Sequence, residues 1–432
     1  MTALPGGTQV ARPRQSSWFF VRISLFWLGL SFMWGALNIQ IIPDRVPKLV
    51  GTEFQGTAIG LIFFVGLGIA IVVQPLAGAL SDRSRVRWGR RRTFMLVGVL
   101  TALPFLILVG LSPNYWLLFG AIVCLQIAAN TAHGPYQGVI PDQVNPDARG
   151  RASGFFGIAN QLGTLLGAGI ASVFLSQGLL LPAVLAIVGV LALTAVGAWR
   201  FVPDSPAPAP EPFAGVRVEL RQRLRELARR PAFAWLVLGR LFFFMGLLAM
   251  DNFLKLYIQN GLKEPDHEIK TTGVLAVVIG VAAISSVLGG WIADRFGRLR
   301  LVAIAAALGV ASGLLMLSSQ TYGQMLVYGV ILGLGLGLFT AADWAMAIDL
   351  VPDPRSPGLY MGLTNLATAG GDALATLTAG IALDAFNRVQ EGLGYRAPFG
   401  MMAVWFFLAL LIVPVIRARM GRTGPRPTSA LA

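Results

Sequence analysis

Gly78-Ala-Leu-Ser-Asp82-Arg83, closed by Gly89-Arg90-Arg91-Arg92, ends one long apolar run and precedes another. Gly290-Trp-Ile-Ala-Asp294-Arg295-Phe-Gly297-Arg298 does the same half a chain later. A short basic turn between two apolar runs, written twice, marks a duplicated membrane protein. In each copy the aspartate is expected to pair with arginine and hold the two halves together at that end. The leading glycine is expected to admit a neighbouring helix, and Gly89 to supply the chain reversal.

The composition agrees. Of 432 residues 55% are apolar and 12% charged, against about 25% charged in soluble domains. Mean hydropathy is +0.69. A membrane crossing takes roughly 20 mostly apolar residues. Twelve such runs lie near 18–42, 56–80, 93–111, 115–140, 152–176, 178–201, 233–259, 272–293, 300–318, 322–350, 358–383 and 397–416. Lipid offers the backbone no hydrogen bonds, so each run must satisfy its own as a helix. The expected fold is an all-α membrane protein: twelve transmembrane helices in two pseudo-symmetric six-helix bundles.

The net charge of +14 would suit nucleic acid, but its distribution points elsewhere. With both ends inside, the inner segments take Arg12, Arg14, the 83–92 cluster, Arg149, Arg151, the 217–230 cluster, Arg295 to Arg300, Arg355 and Arg417 to Arg426. The outer loops keep Arg45, Lys48, Lys263, Lys270, Arg388 and Arg396. This positive-inside bias sets the orientation. It predicts a multi-pass plasma-membrane protein (the inner membrane in a Gram-negative cell) with both termini cytoplasmic, a lipid bilayer around it and no nucleic-acid partner. The lone cysteine, Cys124, allows no intrachain disulfide. The first 17 residues carry no cleavable apolar segment, so the first helix is the expected insertion signal.

Pro203 to Pro212 is proline-rich and reads as an extended spacer. From Val216 to Arg230, Val216, Leu220, Leu224 and Leu227 share one helical face, with arginines elsewhere, as in a helix lying on the inner membrane surface or simply in solvent. These features divide the chain into residues 1–202, a cytoplasmic linker 203–231, and residues 232–432. The halves repeat beyond the basic turns. Ile140-Pro-Asp142-Gln-Val-Asn-Pro146-Asp147-Ala-Arg149 echoes in Ile348-Asp349-Leu-Val-Pro352-Asp353-Pro-Arg355, and Gly157 and Asn160 in Gly362 and Asn365. Parallel six-helix repeats of this kind place a solute site near the midplane between them.

The Gly-x-x-x-Asp-Arg…Gly-Arg-Arg pattern resembles the major facilitator superfamily. The fuller stretch from Gln74-Pro75 through Gly78, Ser81-Asp82-Arg83 to Arg87-Trp88-Gly89-Arg90-Arg91-Arg92 resembles the sucrose-transporter branch of the glycoside–pentoside–hexuronide:cation symporters. Asn130-Thr131-Ala-His133-Gly134-Pro135…Asp142 is similar to that branch's Asn-Thr-x-x-Gly-Pro…Asp stretch; Trp34, Pro43, Asp251 and Lys255 agree more weakly. Two positions depart. Gln126 stands where the branch often has an acid that carries a proton, and Gln137 where it has an arginine against the sugar.

The resemblance implies a secondary carrier working by alternating access. It would symport a glycoside or other small sugar with a proton or sodium ion, as a monomer and without a cofactor or bound metal. Efflux of an amphipathic compound, or a carrier-like assembly role without transport, are the alternatives. The sequence holds no Gly-x-x-x-x-Gly-Lys-Ser/Thr loop for nucleotide, no nucleophile motif and two histidines, so an enzyme is not expected.

Polar groups at membrane depth are functional candidates. Amides both donate and accept, which suits sugar hydroxyls; Asn38, Gln126, Asn130 and Gln137, with His133, are the expected solute contacts. Asp343 and Asp372, inside the tenth and eleventh helices, are the expected cation-coupling acids, each with a structural ion pair as its plainer role. Asp251 and Lys255, four residues apart, read as a mutually neutralising pair with a gating role. The remaining gating set is Asp82, Arg83, Arg90, Arg91, Asp142, Asp294, Arg295, Arg298 and Asp349, with Asp142 and Asp349 as partners for the arginine turns.

Overall fold

Each apolar run forms a helix, and the described structure contains no strand. The computed structural model describes residues 15–145, 148–202, 204, 218, 221, 225, 231–349 and 357–423. Apart from Asp204, Val218, Arg221, Arg225 and Pro231, the linker and its expected surface helix lie outside the described residues. The twelve spans are α1 Ser17–Val50, α2 Gln55–Arg83, α3 Arg90–Leu111, α4 Tyr115–Gln137, α5 Arg149–Leu175 and α6 Leu180–Phe201. They continue with α7 Pro231–Gly261, α8 His267–Phe296, α9 Arg298–Leu317, α10 Tyr322–Asp349, α11 Pro357–Val389 and α12 Ala397–Thr423.

Local chemistry sets several ends. Asn114 caps α4, its side chain accepting from Leu117 N at 2.9 Å. Gly89 and Gly297, at the two basic turns, have φ of +104° and +90°, a region where a side chain is strained. Among the described residues, neither of the motif's leading glycines is required by a close approach: Gly78 faces Gly134 of α4 at ordinary contact distance. A Cβ on Gly78 would sit 3.8 Å from the nearest atom, and one on Gly290 would meet nothing within 4 Å.

The packing partners repeat between halves. In the first, α1 packs on α5 and α6, α4 on α2 and α3, and α3 on α6. In the second, α7 packs on α11 and α12, α10 on α8 and α9, and α9 on α12. Two matching seams join the sets, α2 against α11 and α5 against α8. The first helix of each set departs from α geometry in a corresponding way: α1 carries a π-helical segment at Ala36–Ile41 and α7 one at Tyr257–Gly261. Such bulges cluster at functional sites. In addition, α7 breaks into a turn at Asn252 and Phe253.

Buried polar and aromatic contacts fix the helices that carry the site. The Tyr136 hydroxyl donates to Ile23 O at 2.7 Å and pins α4 to α1. Phe243 and Phe339 stack with centroids 3.6 Å apart and lock α7 to α10.

Candidate functional site

Three polar groupings occupy the interior. The first runs along α4, where Gln126, Asn130, His133 and Gln137 recur at helical spacing on one face. Gln74 of α2 ties them together. Its amide donates to Asn130 Oδ1 at 2.6 Å and contacts His133 Nδ1 at 3.2 Å. Gln137 Nε2 donates to Gln74 Oε1 at 3.1 Å and contacts His133 Nε2 at 3.2 Å. Asn130 donates to Gln126 Oε1 at 2.9 Å, and the Trp27 ring lies 4.7 Å from the imidazole. A neutral imidazole accepts at one nitrogen only, so one amide must turn its oxygen to the ring. Asn130 donates to the backbone carbonyl of Gln126 at 2.7 Å, which fixes Gln74 as the donor to Asn130, so the amide that turns is Gln137 at the exposed end. The line carries no charge when the imidazole is neutral. Gln137 is exposed, His133 half-buried and Asn130 buried, so the line runs from an open end into the bundle. Asn38 lies apart, half-buried in the π segment of α1, and makes none of these bonds. Gln74 was legible only as part of the loop motif; its signal as a site residue is a lone amide inside the apolar run of α2.

The second grouping is charged and lies in the other half. Asp343 of α10 forms an ion pair with Arg240 of α7, and both are buried. Arg240 Nε also donates to Thr364 O and Thr368 Oγ1, each at 3.2 Å. Asp343 is thus neutralised by a neighbouring helix, the structural role, rather than held as a bare acid. Asp372 of α11 instead accepts from the neutral Asn252 Nδ2 at 2.8 Å. That amide also lies 2.7 Å from Thr376 Oγ1. Asp251, next to Asn252, has one buried carboxylate oxygen with no hydrogen-bond partner among the described residues.

The expected Asp251–Lys255 pair does not form. The turn at Asn252 and Phe253 interrupts the helix between them and sends Lys255 elsewhere. Its ammonium is fully buried and meets Asp44 Oδ1 at 3.4 Å, Glu268 Oε1 at 3.8 Å and Gln40 O at 3.2 Å. Gln40 in turn donates to Glu268 O at 2.9 Å. Asp44 and Gln40 belong to α1 and Lys255 and Glu268 to α7 and α8, so this third grouping bridges the halves. Nearby, Asp384 of α11 accepts from the backbone of Gly56 and Thr57 in α2, and Gln55 donates to the Tyr395 hydroxyl at 2.9 Å. These bridges all lie at the face remote from the arginine turns.

At the opposite face, Arg90 meets Asp82 at 3.2 Å and Asp142 at 2.7 Å, and Arg91 meets them at 3.1 and 2.7 Å. All four residues belong to the first half. The cluster braces α2, α3 and the end of α4 within one half, and does not fasten the halves to each other as expected. Asp204 adds to it, accepting from the backbone N of Arg91 at 3.1 Å and of Arg92 at 3.3 Å. Arg83 and Arg295 are exposed, and Arg295 lies 5.8 Å from the Trp291 ring. Arg298 is half-buried at the start of α9. The side chains of Asp294 and Asp349 lie outside the described set.

Twelve spans in two sets with matching packing partners, joined along two equivalent seams, define a carrier of the major facilitator type. The chain belongs to the MFS/sugar transport protein family, whose model matches residues 53–418. It is 28% identical over 175 residues to the general alpha-glucoside permease of Schizosaccharomyces pombe, covering 36% of this chain and 31% of that one. It is likewise 28% identical over 162 residues to sucrose transport protein SUC3 of Arabidopsis thaliana, covering 32% and 26%. The alignments therefore span about a third or less of these relatives. Among solved structures, a bacterial homologue of the human lysosomal transporter Spinster superimposes with a TM-score of 0.74 at 15% identity, covering 95% of this chain and 99% of that one. The nucleoside transporter NupG gives 0.70 at 13% identity, covering 93% and 99%.

Proposed function

We propose that this protein is a sugar:cation symporter, working by alternating access between two bundles, residues 1–202 and 232–432, joined by the linker 203–231. The observation that carries the reading is the chain of amides around His133. Gln126, Asn130, Gln74 and Gln137 offer donors and acceptors on one face, and Trp27 lies against the imidazole, matching a glycoside's hydroxyls and apolar ring face. The family and the named sugar permeases among its relatives support the same solute class.

Asp372 is the coupling acid in this reading. Asp343 has its charge met by Arg240, whereas Asp372 has a neutral amide and the unpartnered Asp251 oxygen near it. Protonation or a bound sodium ion at Asp372 would offset the desolvation of a bare carboxylate and let the loaded carrier rock. The arginine turns lie on the cytoplasmic side of a plasma membrane, so the face that the cross-half bonds fasten is the outer one. The protein acts as a monomer.

The test is uptake of labelled mono- and disaccharides into proteoliposomes under imposed proton or sodium gradients. Accumulation that follows one of the gradients is the expected result. Uptake indifferent to both gradients would refute symport, and no uptake of any sugar would refute the solute class.

A further inference from the structure

The first turn of every helix leaves backbone N–H groups without intrahelical partners and carries partial positive charge. In α2 the residue at the N-cap position is Phe54, whose side chain supplies no cap. The cap comes from the other half of the molecule. Asp384 of α11 reaches across the seam, its Oδ1 accepting from Gly56 N at 2.8 Å and its Oδ2 from Thr57 N at 2.6 Å. Asp384 is buried. The two backbones are pressed together here. A Cβ on Gly56 would lie 2.3 Å from Gly380 O, and one on Gly380 2.1 Å from Gly56 O. Neither position admits a side chain without parting the seam.

We propose that Asp384 is a state-selecting residue of this face, favouring the closed state by capping α2 across the seam between the halves, beside the Lys255 bridge described above. The inference rests on the alternating-access reading and goes beyond it by naming a bond that differs between states. A contact shifts a conformational equilibrium only to the extent that it exists in one state and not the other. The Asp384 cap meets that condition, because it joins elements of different halves and cannot persist once α2 and α11 separate. The Gln55–Tyr395 bond reinforces it at 2.9 Å. By contrast, the Asp82–Arg90–Arg91–Asp142 cluster lies within one half and can move as a body, so it discriminates between states far less.

The test uses the full chain in lipid nanodiscs with Cys124→Ser, and spin labels at Glu53→Cys and Glu391→Cys, two exposed positions flanking the seam. A second pair, Val86→Cys and Phe296→Cys, both exposed, reports on the opposite face. In the parent the first pair gives mainly short distances by pulsed electron spin resonance. Asp384→Ala and Asp384→Asn are expected to raise the ratio of long to short distances by about tenfold, the effect of losing charge-assisted bonds present in one state only. Gly56→Ala parts the seam by a different route and is expected to shift the ratio the same way, which keeps the proposal testable if an Asp384 variant fails to fold. Unchanged distances in every folded variant would overturn it. If the first pair lengthens while the second stays fixed, Asp384 is still the seal of this face, and it is the alternating-access reading that fails.

Discussion

The two halves share their packing but not their chemistry. The interior of the first is lined by amides and one imidazole along α4, bonded to each other and to Gln74. The corresponding depth of the second holds a buried ion pair, Arg240–Asp343, and the acids Asp251 and Asp372. A duplicated scaffold has kept the helix–helix contacts that set its shape and let the polar residues diverge. The uncharged line suits recognition, because amides can rearrange their bonds around different hydroxyls. The charged set suits coupling, because a buried carboxylate's free energy depends steeply on whether an ion accompanies it.

The sharpest way to break this contrast is to unbalance the charged half. Arg240→Met leaves Asp343 buried without its partner and is expected to destabilise the protein by about 3–5 kcal/mol. The double variant Arg240→Met/Asp343→Leu should recover most of that loss in thermal unfolding in detergent. If the single and double variants unfold alike, the pair is not what holds α7 to α10.

Asp372→Asn should abolish gradient-driven accumulation, lowering it by about tenfold to a hundredfold, while sugar exchange between loaded vesicles continues. Full accumulation by this variant would move coupling elsewhere. On the uncharged side, Gln137→Ala or Asn130→Ala should raise KM by about threefold to tenfold through the loss of about 0.5–1.5 kcal/mol per hydrogen bond, with the coupling ratio unchanged. A change in coupling without a change in KM would reverse the division of labour between the halves.

The smallest effect compares the two basic turns. Alanine at either Gly89 or Gly297 forces a side chain into positive φ with extended ψ, a region close to glycine-only, at roughly 1–3 kcal/mol. At Gly89 the new Cβ would also fall 2.1 Å from the Asp204 carboxylate, whereas at Gly297 it meets nothing within 4 Å. Gly89→Ala should therefore lower the melting temperature more than Gly297→Ala. Equal shifts would mean that Asp204 gives way freely.

Much of this molecule is readable in its residues. Twelve apolar runs stand out because lipid forbids anything but helices there, and the two basic turns disclose the duplication. The four α4 side chains that form the amide line follow from helical spacing alone. What spacing does not convey is which partner comes from a distant helix. Asp343 looks like a free acid until Arg240, on a helix far back in the sequence, closes on it. Lys255 looks committed to Asp251 because the intervening Asn252 and Phe253 contain neither proline nor glycine to announce the turn. Asp44, Glu268 and Asp384 do not stand out, because they sit near span ends, where acids are ordinary. Their role arises only from the meeting of the halves, a property of tertiary contact.

The Asp204 cap on α3 has a practical corollary for engineering the chain. The end of α6 is fastened to the start of α3 through this carboxylate and through Val202 O, which accepts from Arg92 Nε, so the anchoring of the first bundle runs past its last span. A reporter domain spliced in after Asp204 leaves that fastening whole. A split or truncation one residue too early removes the carboxylate and leaves two amides uncapped beside the arginines, with the Arg92–Val202 bond as the remaining tie. Fragment complementation between the two bundles should accordingly be stronger when the first fragment retains that aspartate.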